Sequence, residues 1–158
     1  MKVVELNKDQ AKALYQKYDT DNNGKIDREE FFYLCLDYYQ ITKTKSTQIL
    51  INGLFEAADG NGRFNFHDGK LNFDEFYQIV SLLPKEFEDV EKDIARVVFT
   101  LIDSDNSKTI SVKELHVFMK KLYDCISLES AQRSLTVFDD NNNGVLEFEE
   151  FFNCLMKM

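Results

Sequence analysis

The chain has no tryptophan, one proline, two histidines and three cysteines among its 158 residues. Each scarcity excludes something. His67 and His116 form no Ser/Cys–His–acid pattern, and no phosphate-cradling loop is present, so an enzyme would lack its usual groups. Cys35, Cys125 and Cys154 are odd in number and show no paired spacing. They read as free thiols in a reducing compartment, each a small apolar residue in an apolar helical stretch. No apolar run approaches the length of a membrane span. The opening MKVVELNKDQ lacks a signal-type apolar region, Lys2 stands where myristoylation needs glycine, and the tail CLMKM is no prenylation box. These absences set an expectation of a cytosolic protein, with the nucleus as a second location.

What is present is an apolar share of 44%, enough for a sizeable core, carried largely by fourteen Phe and seven Tyr. The net charge of −9 argues against nucleic acid and against insertion into an anionic membrane, and suits cations or a basic partner peptide.

The strongest organising signal is an internal repeat. A helical stretch leads to an Asp/Asn-rich loop, then one aliphatic residue, then Glu and a second apolar helix. The loop aliphatics are Ile26, Leu71, Ile110 and Leu146. The Glu that follows each at the same offset is Glu30, Glu75, Glu114 or Glu150, with Phe31, Phe76, Leu115 or Phe151 next. Between the loops, Asn7 with Gln10 resembles a capping box ahead of Ala11, Leu14, Tyr15 and Tyr18. Ser46 is expected to cap a helix carrying Ile49, Leu50, Leu54 and Phe55. Phe87, Val90, Ile94, Val97, Val98 and Leu101 form the longest stripe, and Ser127 opens a helix with Leu128, Ala131, Leu135 and Phe138. Pro84 predicts a helix end at Leu83 and a restart at Pro84, with Glu86, Glu88, Asp89 and Glu91 in the restarted first turns. That divides the chain into lobes of about 1–83 and 84–158, each with two loops.

The loops carry the chemistry of calcium, a hard cation that takes oxygen ligands from positions 1, 3, 5, 7, 9 and 12 of a twelve-residue loop. The first loop meets every requirement with Asp19, Asp21, Asn23, the Lys25 carbonyl, Asp27 and bidentate Glu30, and Gly24 makes the turn. The fourth offers Asp139, Asn141, Asn143, the Val145 carbonyl, Glu147 and Glu150, with Gly144 turning; its three carboxylates against four predict weaker binding. The third aligns Asp103, Asp105, Ser107, the Thr109 carbonyl, Ser111 and Glu114, but Lys108 occupies the turn position, where a non-Gly residue costs about 1 kcal/mol. The second is irregular. Counting back from Glu75 places Asn72, Lys70, Gly69 and Asp68 correctly and then meets Phe66 and Phe64, which cannot ligate. An Asp-x-Asn start exists at Asp59 and Asn61, in a segment of 17 residues to Glu75. Either an insertion such as RFNFH bulges out and Asp59, Asn61, Asp68, Lys70 and Glu75 still gather an ion, or the site is empty. Lost preorganisation favours the empty reading, and His67 reads as a surface residue.

On the motifs DTDNNGKIDREEF, DSDNSKTISVKEL and DDNNNGVLEFEEF, the chain resembles four-EF-hand proteins of the calmodulin and troponin C type over nearly its whole length. The resemblance implies an all-α fold of two lobes, each a pair of EF-hands joined by a short two-stranded ladder through the position-8 residues. It implies Ca2+ as the bound ion, with Mg2+ competing. It also implies a monomeric calcium sensor that opens an apolar groove to a target protein or amphipathic helix in a calcium-dependent way. A calcium buffer and a permanently loaded regulatory subunit are the alternatives. Two departures stand out. The split second loop puts pairing of the N-terminal hands in doubt. Few methionines (Met119, Met156 and Met158 besides Met1) imply fewer targets than a Met-rich groove takes.

Overall fold

The computed structural model describes residues 6–60, 67–84 and 86–158. Among the described residues, eight helices and two very short strands follow in order: α1 (Lys8–Tyr18), β1 (Ile26–Asp27), α2 (Arg28–Asp37), α3 (Lys45–Ala58), β2 (Lys70–Leu71), α4 (Phe73–Leu82), α5 (Val90–Ile102), α6 (Val112–Leu122), α7 (Leu128–Phe138) and α8 (Phe148–Met156). This is an all-α fold of four helix–loop–helix units.

Helix starts are set by side chains that satisfy the first free amides. Asn7 with Gln10, Asp27 with Glu30, Asn72 with Glu75 and Ser111 with Glu114 are reciprocal capping boxes. Ser127 opens α7 as its sequence suggests. Ser46 does not open α3. Thr44 does, its Oγ1 accepting the Thr47 amide at 3.1 Å while the Thr47 hydroxyl oxygen accepts the Thr44 amide at 2.8 Å.

Leu83 caps α4 just ahead of Pro84, as a proline predicts. The restart lies elsewhere. Asp89 caps α5 by accepting the Lys92 amide at 3.1 Å, so Glu86 and Glu88 precede the helix. Asp93 reaches back to the Glu88 amide and fixes that entry. Phe87 therefore stands outside the α5 stripe and meets the Tyr39 ring at 6.3 Å. Cys35 and Cys154 are buried in α2 and α8, and burial pushes the Cys154 thiol up to about 12 and raises Cys35 as well. Cys125 differs: it is exposed, with φ +68, in the connection between α6 and α7.

Position-8 residues tie the loops in pairs. Ile26 faces Leu71 and Asp27 faces Lys70 in an antiparallel ladder; Ile110 and Leu146 exchange N–H···O bonds of 2.8 and 2.9 Å. All four aliphatics are fully buried. The irregular second loop thus keeps the register of its neighbour, because the extra residues precede Asp68 and leave the stretch from Asp68 to Glu75 regular. The Tyr15 hydroxyl reinforces the junction, lying 2.8 Å from the Gly24 carbonyl and 2.9 Å from that of Leu71.

Helix α3 lies at the centre. It packs on α2 and α4 and also on α5, α6 and α8, with α5 its most extensive neighbour. Nine of its fourteen residues are buried, on more than one face, while Lys45 and Asn52 stay exposed along one outward stripe.

Candidate metal centres

Each loop begins at a helix C-terminus and ends at the next helix's first turn, so its end carboxylates are held by the helices themselves. In the first loop Asp19 caps α1, and its two oxygens accept the amides of Asn23 (3.0 Å) and Gly24 (2.9 Å). Glu30 accepts the amides of Thr20 (2.8 Å) and Asp27 (2.9 Å). Asn23 accepts from Lys25, and Gly24 turns at φ +81. Asp27 is engaged by the Glu30 amide at 2.9 Å through one oxygen, which leaves its other oxygen for an ion or a bridging water.

The same wiring recurs. In the third loop Asp103 accepts from Ser107 and Lys108, and Glu114 from Ser104 and Ser111. In the fourth, Asp139 accepts from Asn143 and Gly144, and Glu150 from Asp140 and Glu147. Glu147 reaches across the loop to the side-chain amides of Asn141 (3.0 Å) and Asn143 (2.6 Å), so it has the span that position 9 requires, and Val145 donates to Asn143.

The second loop follows suit once Asp59 is taken as its first residue. Asp59 accepts from Asp68 (3.2 Å) and Gly69 (2.8 Å), and Glu75 from Gly60 (3.0 Å) and Asn72 (2.9 Å). The structure therefore brings Asp59, Asp68, Lys70 and Glu75 into loop geometry across the insertion; Asn61 lies outside the described residues. Basic side chains crowd this site. Lys25 pairs with Asp68, and His67 Nε2 lies 2.6 Å from buried Glu56 and 3.4 Å from Asp59. His67 stays 39% exposed, so it is a surface residue that also bridges to two buried carboxylates. Arg28 pairs with the other oxygen of Glu56.

Electrostatics separate the sites. Burial works against the Glu30 charge, but donors from Asp27 and Thr20 hold its carboxyl below the usual range; Glu114 behaves likewise with Ser111 and Ser104. Glu75 is raised, chiefly by burial, with Asp59 and Asp68 adding to it. Glu150 is raised by burial and by neighbouring Glu147.

The donor sets fit a hard divalent cation. Asp19, Asp21 and Glu30 each place a carboxylate oxygen within 4.8 Å of the others, as do Asp103, Asp105 and Glu114. Two oxygens 2.3–2.6 Å from one calcium lie at most about 5 Å apart. Such carboxylates repel one another without a cation.

Position 4 is a feature that the sequence reading passed over. Asn22, Asn106 and Asn142 adopt φ of 54, 57 and 58. The signal was an Asn at the same place in three loops, the residue that best tolerates this left-handed region after glycine. Lys108 at position 6 has φ +66, and its ammonium donates to Asn106 at 2.5 Å. Lys108→Gly is expected to tighten the third site by removing that strain. Calorimetric titration of the variant checks it: an unchanged or lower affinity there removes Lys108 as the fault.

Comparison with known proteins agrees. The EF-hand domain pair matches residues 91–156, and an EF-hand domain matches residues 10–39. A "16 kDa calcium-binding protein" of Schistosoma mansoni is 31% identical over 140 residues, 87% of each chain. "Probable calcium-binding protein CML34" of Arabidopsis thaliana is 28% identical over 89% of this chain and 92% of that protein. A calmodulin-like protein of Oryza sativa subsp. japonica is 28% identical over 90% of this chain and 79% of that protein.

Proposed function

The chain belongs to the EF-hand family of calcium-binding proteins, and from that premise we propose that it is a calcium sensor which presents an apolar groove to a target. One observation carries this reading. Each position-12 carboxylate is hydrogen-bonded at once to the amide of the loop's second residue and to the N-cap amide of the exiting helix. A shift of that carboxylate toward an ion therefore moves the helix that carries it. Calcium supplies the charge that neutralises the loop's carboxylates. Glu114 and Glu150 head α6 and α8, whose apolar side chains Phe118, Met119, Phe151 and Leu155 are buried. Reorientation of those helices would uncover these side chains to an amphipathic target helix, which a surface of net charge −9 would favour as a basic one. We place the protein as a monomer in the cytosol, with access to the nucleus. It binds rather than catalyses.

A hydrophobic dye titrated against the full chain, in calcium and in chelator over a magnesium background, tests the proposal. The expected result is a calcium-dependent rise in dye fluorescence. Calorimetric calcium binding with no dye response would make the protein a buffer. A dye signal indifferent to calcium would leave the permanently loaded subunit.

A further inference from the structure

The apolar seat between α5, α6 and α8 is already filled by the chain's own α3. Gly53 faces all three of these helices. A Cβ added there would lie 3.3 Å from Leu155 Cδ1, 3.5 Å from Phe118 Cζ and 4.0 Å from Val98 Cγ1, residues of α8, α6 and α5 respectively. A methyl there would need Leu155 to give by a few tenths of an ångström, and a larger side chain would displace the neighbours, so the helices meet at a small-residue crossing. The contact is latched at its end. Lys121 of α6 donates to the backbone carbonyl of Asp59, the residue that caps α3, at 2.7 Å. Burial lowers the Lys121 pKa, which marks an ammonium held against the interface rather than in water.

We propose that α3 is a built-in occupant of the target groove, and that the partner is an amphipathic helix whose apolar face is of the same design, carrying a small residue where Gly53 stands. This rests on the sensor reading and adds to it what the groove selects. A partner must expel α3 and then meet Phe118, Leu155 and Val98 with glycine or alanine at the crossing. A bulky residue there is rejected by the clash that Gly53 avoids. The latch also couples the groove to the second loop, because Asp59 is both the α3 cap that Lys121 holds and the first residue of that loop.

The test uses the full chain and a synthetic peptide of residues 44–60. Gly53→Arg keeps a strong helix former in α3 but cannot be seated. It is expected to raise dye binding and the solution radius by small-angle scattering, in chelator as well as in calcium, and to bind the added peptide. The wild-type chain, its seat filled, is expected to bind the peptide at least about tenfold more weakly. The same peptide with Arg at position 53 should not bind the variant. Should Gly53→Arg lose its far-UV helicity, Gly53→Leu makes the same measurement with a milder clash. A folded variant with wild-type radius, dye signal and peptide affinity would overturn the proposal. Because the variant's opening does not depend on calcium, a failed calcium response in wild type counts against the sensor reading alone.

Discussion

Glu30→Gln is expected to weaken calcium at the first loop by tenfold or more, about 1.4 kcal/mol. Glu30 is 7% exposed, and its carboxylate has three jobs. It faces Asp19 and Asp21 within ion-sharing distance. It holds the Thr20 amide and hydroxyl at 2.8 and 2.9 Å, which closes the loop's start against its end. It also completes the capping box of α2 through the Asp27 amide. Gln retains one oxygen and brings an NH2 donor toward the Asp27 or Thr20 amide, which is itself a donor. One acceptor contact is lost and a donor–donor clash replaces it, besides the missing half of a bidentate ligand. Calorimetry in a magnesium background, on wild type and variant, checks this. If the tightest site titrates unchanged, the first loop is not that site. The depressed Glu30 carboxyl adds a pH signature. A carboxylate lowered in the fold contributes stability that is present above its unfolded pKa and lost as pH falls through the folded one.

The four-loop plan was legible because a metal loop is a local device: ligands, turn and cap lie within a dozen consecutive residues. Asn7, Ser127 and Leu83 were legible for the same reason. The misreadings share another cause. Ser46 lost to Thr44 because two hydroxyl residues two apart both qualify as caps, and only Thr44 has a reciprocating Thr47 three residues on. Pro84 suggested a helix restart, but Asp89 has an acceptor side chain aimed at the Lys92 amide, which proline cannot provide. The second loop is a different case: its spacing left open both a gathered site starting at Asp59 and an empty one. Its halves are joined by Asp59 accepting the Asp68 and Gly69 amides, a contact across nine and ten residues that spacing alone does not reveal.

Helix α3 holds the largest lesson. Its stripe of Ile49, Leu50, Leu54 and Phe55 reads as one buried face. In the structure Ile49 is only half-buried, and Ile51, Gly53, Ala57 and Ala58 are buried beyond that stripe, which leaves Lys45 and Asn52 facing out. The run LINGLFEAA is apolar nearly all round, and such a helix needs partners on more than one side. Which partners it finds is a long-range matter that no periodicity encodes.

Phe118→Ala tests how much that central packing is worth. Phe118 is 2% exposed, its ring lies 6.4 Å from that of Phe151, and a Cβ at Gly53 would lie 3.5 Å from its Cζ. It therefore belongs both to the core of the last four helices and to the seat of α3. Truncation removes the ring from two packed surfaces that meet there, and collapse to fill the void would require α3, α6 and α8 to move together. The expected loss is about 3–5 kcal/mol of unfolding free energy. For a chain of this size that corresponds to a fall in Tm of roughly 6–20 °C. Val117, the adjacent residue on α6, is 58% exposed, and Val117→Ala is expected to cost no more than about 0.5 kcal/mol. Both variants keep every loop ligand, so thermal unfolding at fixed calcium compares packing alone. If Phe118→Ala costs as little as Val117→Ala, then Phe118 is not enclosed between α3 and α8 in solution, and the seat described for α3 does not exist.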